Sequence, residues 1–216
     1  MLSRFSRLSF SVRFMVAVLA MVTAAFFGSR ADALVELKGG YSMHTVSPSG
    51  LNDAFASYPK IDQATSLSVD IMADLPLMPV GLGLRHEIIK RSDSSGALSS
   101  EVNWTRTSIV VNKRFIDTLM YFGPIATVAI ANDFKYKSGN SGTTTEYKTD
   151  TQLNGSVGLE AGVKLLLLRA GVEAGYMYAP MGNLKTSAGA DVTSGGSNVN
   201  VDMSGTYVRA TVGFGF

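Results

Sequence analysis

The chain has no cysteine, two histidines (His44 and His86) and one tryptophan (Trp104) among its 216 residues. Without thiols it can build neither a disulfide framework nor a thiolate metal site, and two histidines are too few for a histidine-rich one. Long apolar runs are also scarce. Beyond residue 33 the longest aliphatic run is Leu165–Leu168, held between Lys164 and Arg169. A helix that crosses a bilayer needs about 20 predominantly apolar residues, so the part of the chain after residue 33 does not read as a helical membrane protein. No cofactor fingerprint is present either. The stretch "GLGLRH" from Gly81 lacks the third glycine and the following helix of a dinucleotide site.

The excess of positive charge is small and local. Residues 1–13 carry Arg4, Arg7 and Arg13 and no acid, residues 14–28 are apolar, and "SRADA" ends the segment in small residues. A basic head, a short apolar stretch and an A-x-A ending read as a secretory signal peptide, residues 1–33, cleaved after Ala33. The apolar stretch is short for a membrane anchor. Removal takes four of 19 basic residues (Arg4, Arg7, Arg13, Arg30) and one of 17 acids (Asp32), leaving 15 against 16 in a single domain, 34–216. The basic character belongs to the leader, so nucleic acid is not an expected partner.

What fills residues 34–216 is alternation of period two. Eight strands are expected at 34–44, 64–74, 79–90, 102–114, 119–134, 152–164, 166–178 and 204–216. Most exceed the usual globular strand of about 5–6 residues and suit tilted strands that cross a bilayer. Connections alternate between long and polar (45–63, 91–101, 135–151, 179–203) and short (75–79, 115–117, 164–167). Bacterial barrels sort their loops in this way, with short periplasmic turns and longer external loops. The short link "KLLL" is anomalous, because it lacks the Gly, Asn or Asp of a tight hairpin turn.

Side-chain size assigns the two faces. One phase carries large apolar residues, among them Leu67, Val69, Ile109, Val128, Leu159, Val172 and Val212. The other carries Gly40, Gly83, Gly158, Gly162, Gly171, Gly175, Gly213 and Gly215 with serines and scattered charges. An eight-stranded barrel is only just wide enough inside for its own side chains, so the bulky phase must face outward, toward hydrocarbon. The expected fold is an all-β, eight-stranded, antiparallel, up-and-down transmembrane barrel. The final strand, "YVRATVGFGF", places Val208, Ala210, Val212, Phe214 and Phe216 on the outward phase. Here the chain resembles the small eight-stranded outer-membrane barrels, such as the transmembrane domain of outer-membrane protein A and its relatives. In that family a last strand of this pattern is read by the barrel-assembly machinery. The resemblance implies that role for Ala210, Val212, Phe214 and Phe216, and a place among the lipids of a bacterial outer membrane.

The inward phase also holds Glu36, Lys38, Asp70, Arg85, Glu87, Arg106, Glu160, Arg169, Glu173 and Arg209, five acids and five bases. Neighbouring strands are expected to gather Asp70, Arg85, Glu87 and Arg106 in one group. Glu160, Arg169, Glu173 and Arg209 form a second, beside Glu36 and Lys38. In so narrow a bore they are expected to form a plug of salt bridges rather than a path for ions. Trp104 falls on the same phase and either caps the lumen or is turned outward by a bulge. His86 falls on the lipid phase near the outer rim. The loops 45–63, 135–151 and 179–203 read as polar and flexible, open to an unidentified external ligand. Three functions follow: a structural or surface-interaction barrel, a narrow passive channel, or a lipid-modifying barrel enzyme. For the last the nearest feature is His44 with Ser47 at a loop edge and no acid clearly beside them, so no catalytic constellation, cofactor site or metal site is expected.

Overall fold

A computed structural model describes residues 34–74, 80–150 and 152–216. The segment read as a signal peptide and the short link at 75–79 lie outside the described residues. In chain order β1 (Leu34–Val46) is followed by helix α1 (Ser49–Ala54), β2 (Gln63–Asp74), β3 (Gly81–Ser95) and β4 (Leu98–Asn112). Next come a two-residue strand β5 (Ile116–Asp117), β6 (Met120–Asn140), β7 (Thr143–Thr149), β8 (Gly155–Leu165) and β9 (Leu168–Tyr178). The last stretch holds β10 (Pro180–Thr186), β11 (Thr193–Ser194), β12 (Ser197–Asn198), β13 (Asn200–Asp202) and β14 (Gly205–Gly215).

Eight of these strands close a barrel. Each of β1, β2, β3, β4, β6, β8, β9 and β14 pairs antiparallel with the next, and β14 returns to β1 with Leu37 opposite Phe214 and Tyr41 opposite Ala210. Closure removes the open edges that hydrocarbon does not tolerate. Among the described residues no helix is long and apolar enough to cross a membrane. The period-two pattern maps onto two faces. Leu67, Val157 and Val208 stand 66%, 63% and 60% exposed, whereas their neighbours Ser68, Ser156 and Arg209 are buried. An apolar surface of this extent is stable in lipid and aggregates in water.

The inward glycines have a specific task. A methyl group on Gly162 or Gly171 would collide with the ring of Tyr121, which lies flat against the wall between β8 and β9. Glycines on β8 and β9 thus make room for a large ring from the adjoining strand β6. The hairpin turns divide by chemistry. β3 and β4 join through Gly96–Ala97, with Gly96 at φ 60. β8 and β9 join through Leu166–Leu167, and Leu166, a non-glycine, is held at φ 56. The carbonyl of Leu166 accepts a hydrogen bond from Arg169 Nη1 at 2.7 Å, and that of Leu167 accepts one from the Gly215 amide at 2.8 Å. These contacts hold a backbone that leucine does not favour.

The external segments differ from expectation. The stretch 91–101, read as a loop, is the outer part of the β3–β4 hairpin. Residues 135–151 continue β6 to Asn140 and return as β7, and 179–203 hold β10 to β13. In 45–63 the chain forms α1. Strand β6 follows β8 from Met120 to Val128, then pairs with β7 from Lys135 to Asn140, and β10 joins β7 on its far edge. The barrel wall therefore rises past the apolar belt. Sequence alternation fades there because the outward face meets water and turns polar. A β-bulge marks the change. Thr107 faces Ala131 while Ser108 faces Ala129, so Ile130 is the extra residue on β6. Below it Tyr121, Ile125 and Thr127 are buried inward, and above it Phe134, Tyr136 and Ser138 are.

Candidate functional site

The lumen contains two tiers of charge and a roof. All ten charged residues assigned to the inward phase are buried inside the barrel. The expected neighbours meet, Asp70 with Arg85 and Glu87 with Arg106, but bonds across the bore join the two expected groups into tiers. In the upper tier Arg85 forms two paired hydrogen bonds with Asp70 (2.9 and 2.8 Å). It forms two more with Glu173 on the opposite wall (3.1 and 2.7 Å). Arg209 crosses in the other sense to Glu87, and its Nε donates to Ser42 Oγ at 2.8 Å. Arg106 Nε donates to the second oxygen of Glu87 at 2.7 Å, and the Tyr207 hydroxyl donates to Glu173 at 2.6 Å. The bore is narrow enough for an arginine to reach across it, and paired Arg–carboxylate bonds are the strong kind. Adjacency in the wall therefore gives part of the partnership, as for Asp70 opposite Arg85 and Glu87 opposite Arg106, and the crossings supply the rest.

The lower tier is centred on Arg114, a residue the sequence reading omitted. Its two terminal nitrogens donate to Glu36 at 2.8 and 2.7 Å, and its Nε donates to Glu160 at 3.1 Å. Its guanidinium carbon lies 4.5 Å from the centre of the Tyr121 ring. Lys38 lies 3.5 Å from Glu36 and 3.7 Å from Glu160, and Arg169 Nε lies 3.4 Å from Glu36. Asn112 Nδ2 donates to Glu160 at 2.5 Å. The signal for Arg114 was present, since it continues the inward parity of Trp104, Arg106, Ser108, Val110 and Asn112.

His44 is a second correction. It continues the inward phase of Glu36, Lys38 and Ser42, and its ring is buried in the upper tier rather than placed at a loop edge with Ser47. Nε2 lies 3.1 Å from Ser66 Oγ and 3.5 Å from Glu87 Oε1, and the ring stacks on Tyr207 at 5.9 Å between centroids. An acid is therefore beside it. The Ser66 hydroxyl is committed to that carboxylate, donating to Glu87 Oε1 at 2.6 Å, and all three side chains are buried. His86 stays on the outward face and bonds Thr107 through Nδ1 at 3.0 Å.

Above the charges the filling turns apolar. Trp104 is fully buried, its indole N–H donating to Asn132 and its ring 5.2 Å from the Arg106 guanidinium carbon. The bulge lies on β6 and leaves the inward phase of β4 unchanged. Leu51 of α1, Ile61, Met177, Met181, Leu184 and Val201 join Trp104 in one buried cluster. Phe55 meets Tyr136 at 4.9 Å and Tyr147 at 5.3 Å between ring centres. Segments read as polar and flexible thus fold inward on their few aromatics. Burial raises the Tyr136 hydroxyl above its ordinary pKa. The close fit of α1 on β13 depends on Gly50, because a methyl group there would run into the Asn200 carbonyl. Beside them an external cleft of about 370 Å³ is lined by Ser49, Asp53, Ser194, Asn198, Asn200 and Asp202. Among the described residues no group of three or more His, Asp or Glu side chains is arranged to hold a metal ion.

This architecture, a closed antiparallel barrel with an apolar exterior and a polar interior, is that of the small eight-stranded outer-membrane barrels. The chain is similar to a major outer membrane protein from Thermus thermophilus, with a TM-score of 0.56 and 15% identity over 86% of this chain and 100% of that one. It is also similar to Neisserial surface protein A (TM-score 0.46, 12% identity, 86% and 98% covered). A third likeness is to the outer membrane protease OmpT from Escherichia coli (0.43, 12%, 85% and 95%). No protein-family model matches the chain, and no curated protein matches it.

Proposed function

We propose that the chain is a sealed outer-membrane barrel that works at the cell surface, through the roof built by α1, β7, β10 and β13. In this reading the leader at 1–33 directs export. Ala210, Val212, Phe214 and Phe216 on the last strand present the assembly signal to the insertion machinery. The observation that carries the reading is the double crossing of the bore, Arg85 to Glu173 and Arg209 to Glu87, beneath an apolar roof. Charges engaged in this way leave no continuous polar path for a hydrated ion. The external cleft supplies carboxylates, amides and hydroxyls without an aromatic platform, a set suited to a hydroxyl-rich or cationic ligand.

Planar-bilayer recording of the purified chain tests the seal. The expected trace shows no stable conductance, and Arg209→Ala lowers stability without creating one. A large, long-lived conductance in the wild type would sink the sealed reading and favour the passive channel. For the surface role, cells displaying the wild type should adhere to glycan-coated or protein-coated supports more than cells displaying Asp53→Asn with Asn198→Ala. Equal adhesion on every support removes the cleft from consideration.

A further inference from the structure

Pairing above the apolar belt places lysines side by side. Lys90 on β3 is opposite Asn103 on β4, Asn103 is opposite Lys135 on β6, Lys135 is opposite Lys148 on β7, and Lys148 is opposite Lys185 on β10. All five point away from the roof, because Ile89, Val102, Phe134, Tyr136, Tyr147 and Leu184 beside them pack into it. The row contains four ammonium groups, one amide and no carboxylate. Like charges directly opposite one another on a sheet are destabilising, so such a row is costly unless an anion lies on it. The acids stand in flanking rows. Lys135 Nζ is 3.6 Å from Asp133, Lys148 is 3.8 Å from Glu146, and Lys185 is 2.5 Å from Asp150. These are half-exposed contacts of a single carboxylate each, and an ammonium has three N–H donors, so donors remain.

A second feature lies on the side of β6 where β7 and β10 continue this row. An apolar groove of about 280 Å³ opens on the lipid side between β6, β8 and β9, lined by Val128, Leu153, Val157, Tyr176 and Tyr178. It lies where β6 parts from β8, so it is continuous with the belt that faces hydrocarbon. On β6 the last large apolar outward residue is Ile130, and Asp133 and Lys135 follow it. Lys135, Lys148 and Lys185 span two strand spacings, about 10 Å, within reach of one phosphorylated head.

We propose that this face binds one anionic lipid of the surrounding leaflet, its phosphate held by Lys135, Lys148 and Lys185 and an acyl chain laid in the groove. The two halves select different parts of the same molecule. The groove accepts any chain, and the lysines discriminate by charge. The inference rests on the membrane-barrel reading but not on the sealed bore.

The test is native mass spectrometry of the full chain purified in detergent, titrated with phosphatidic acid, with phosphatidylcholine of the same chains, and with inorganic phosphate. The expected result is about tenfold preference for phosphatidic acid over phosphatidylcholine, abolished in Lys135→Gln/Lys148→Gln/Lys185→Gln. Val157→Trp, which fills the groove, should weaken retention of both lipids. Inorganic phosphate should not displace phosphatidic acid. Equal retention of both lipids by the wild type, an unchanged preference in the triple variant, or full displacement by inorganic phosphate would each overturn the site. Cold and boiled samples on a detergent gel accompany every variant. A wild type that migrates identically in both overturns the barrel reading itself, whereas a normal shift with no lipid preference overturns only this site.

Discussion

Between the middle of the lumen and its outer mouth, the protein changes how it fills the same cylinder. In the middle, arginines and carboxylates span the bore, and every charge has a partner fixed by geometry. At the mouth, Trp104, Leu51, Met181 and Leu184 pack without charge under strands that rise above the apolar belt. The middle resembles a truss, where removing one member strands the others. The mouth resembles an ordinary globular core, where removing one member leaves a hole. Buried ion pairs add little net stability over apolar packing, but breaking one is costly because the remaining partner stays buried and charged. The two regions should therefore fail differently.

The largest effect is expected from Glu87→Ala, which leaves Arg106 and Arg209 facing each other with no shared carboxylate. A loss of about 3–5 kcal/mol is expected, read by urea unfolding in lipid vesicles, and it should be global. A loss below about 1 kcal/mol would mean that water already solvates the upper tier. Val212→Arg on the outward face should follow at about 2–4 kcal/mol if the site lies near the bilayer midplane, measured in the same assay. Leu51→Ala removes a fully buried side chain from the roof and should cost about 2–3 kcal/mol, but locally. Hydrogen exchange should speed up in α1 and β13 while the gel shift between cold and boiled samples persists. A global loss would show instead that roof and truss are a single cooperative unit. The smallest effect is a gain. Leu166→Gly relieves a left-handed leucine and should stabilise the chain by about 1 kcal/mol, seen as a higher unfolding midpoint.

The barrel was legible because lipid imposes a simple rule on the sequence. Where the outer face meets hydrocarbon, Leu67, Val69 and Ile71 must alternate with small or charged residues, and eight such stretches suffice to define a closed sheet. The partners of the charges were legible only between adjoining strands, as for Asp70 with Arg85 and Glu87 with Arg106. Whether Arg85 meets Glu173 depends on a distance across the bore, which no local pattern encodes. The roof escaped for a related reason. Above the belt both faces of β6 and β7 carry polar residues, so Tyr136 and Tyr147 read as loop residues although they anchor a core. Arg114 and His44 were within reach, since each simply extends its strand's parity by one more step. The turn at Leu166 remained opaque because the residue contradicts the conformation, and only the contacts from Arg169 and Gly215 account for it.

The extra residue at Ile130 links these regions. By adding half a pleat it reverses which side chains of β6 point to the axis, so that Phe134 and Tyr136 look inward while Lys135 and Lys137 look out. Removing that residue would close the bulge and leave both faces as they are, because Ala129 already faces Ser108 and Ala131 already faces Thr107. A one-residue insertion or deletion elsewhere in β6 would turn the two aromatic rings to water and drive the two ammonium groups into the space beneath α1 unless the bulge took it up. The outer wall is thus written in a reading phase that tolerates the loss of one residue at this point and at few others.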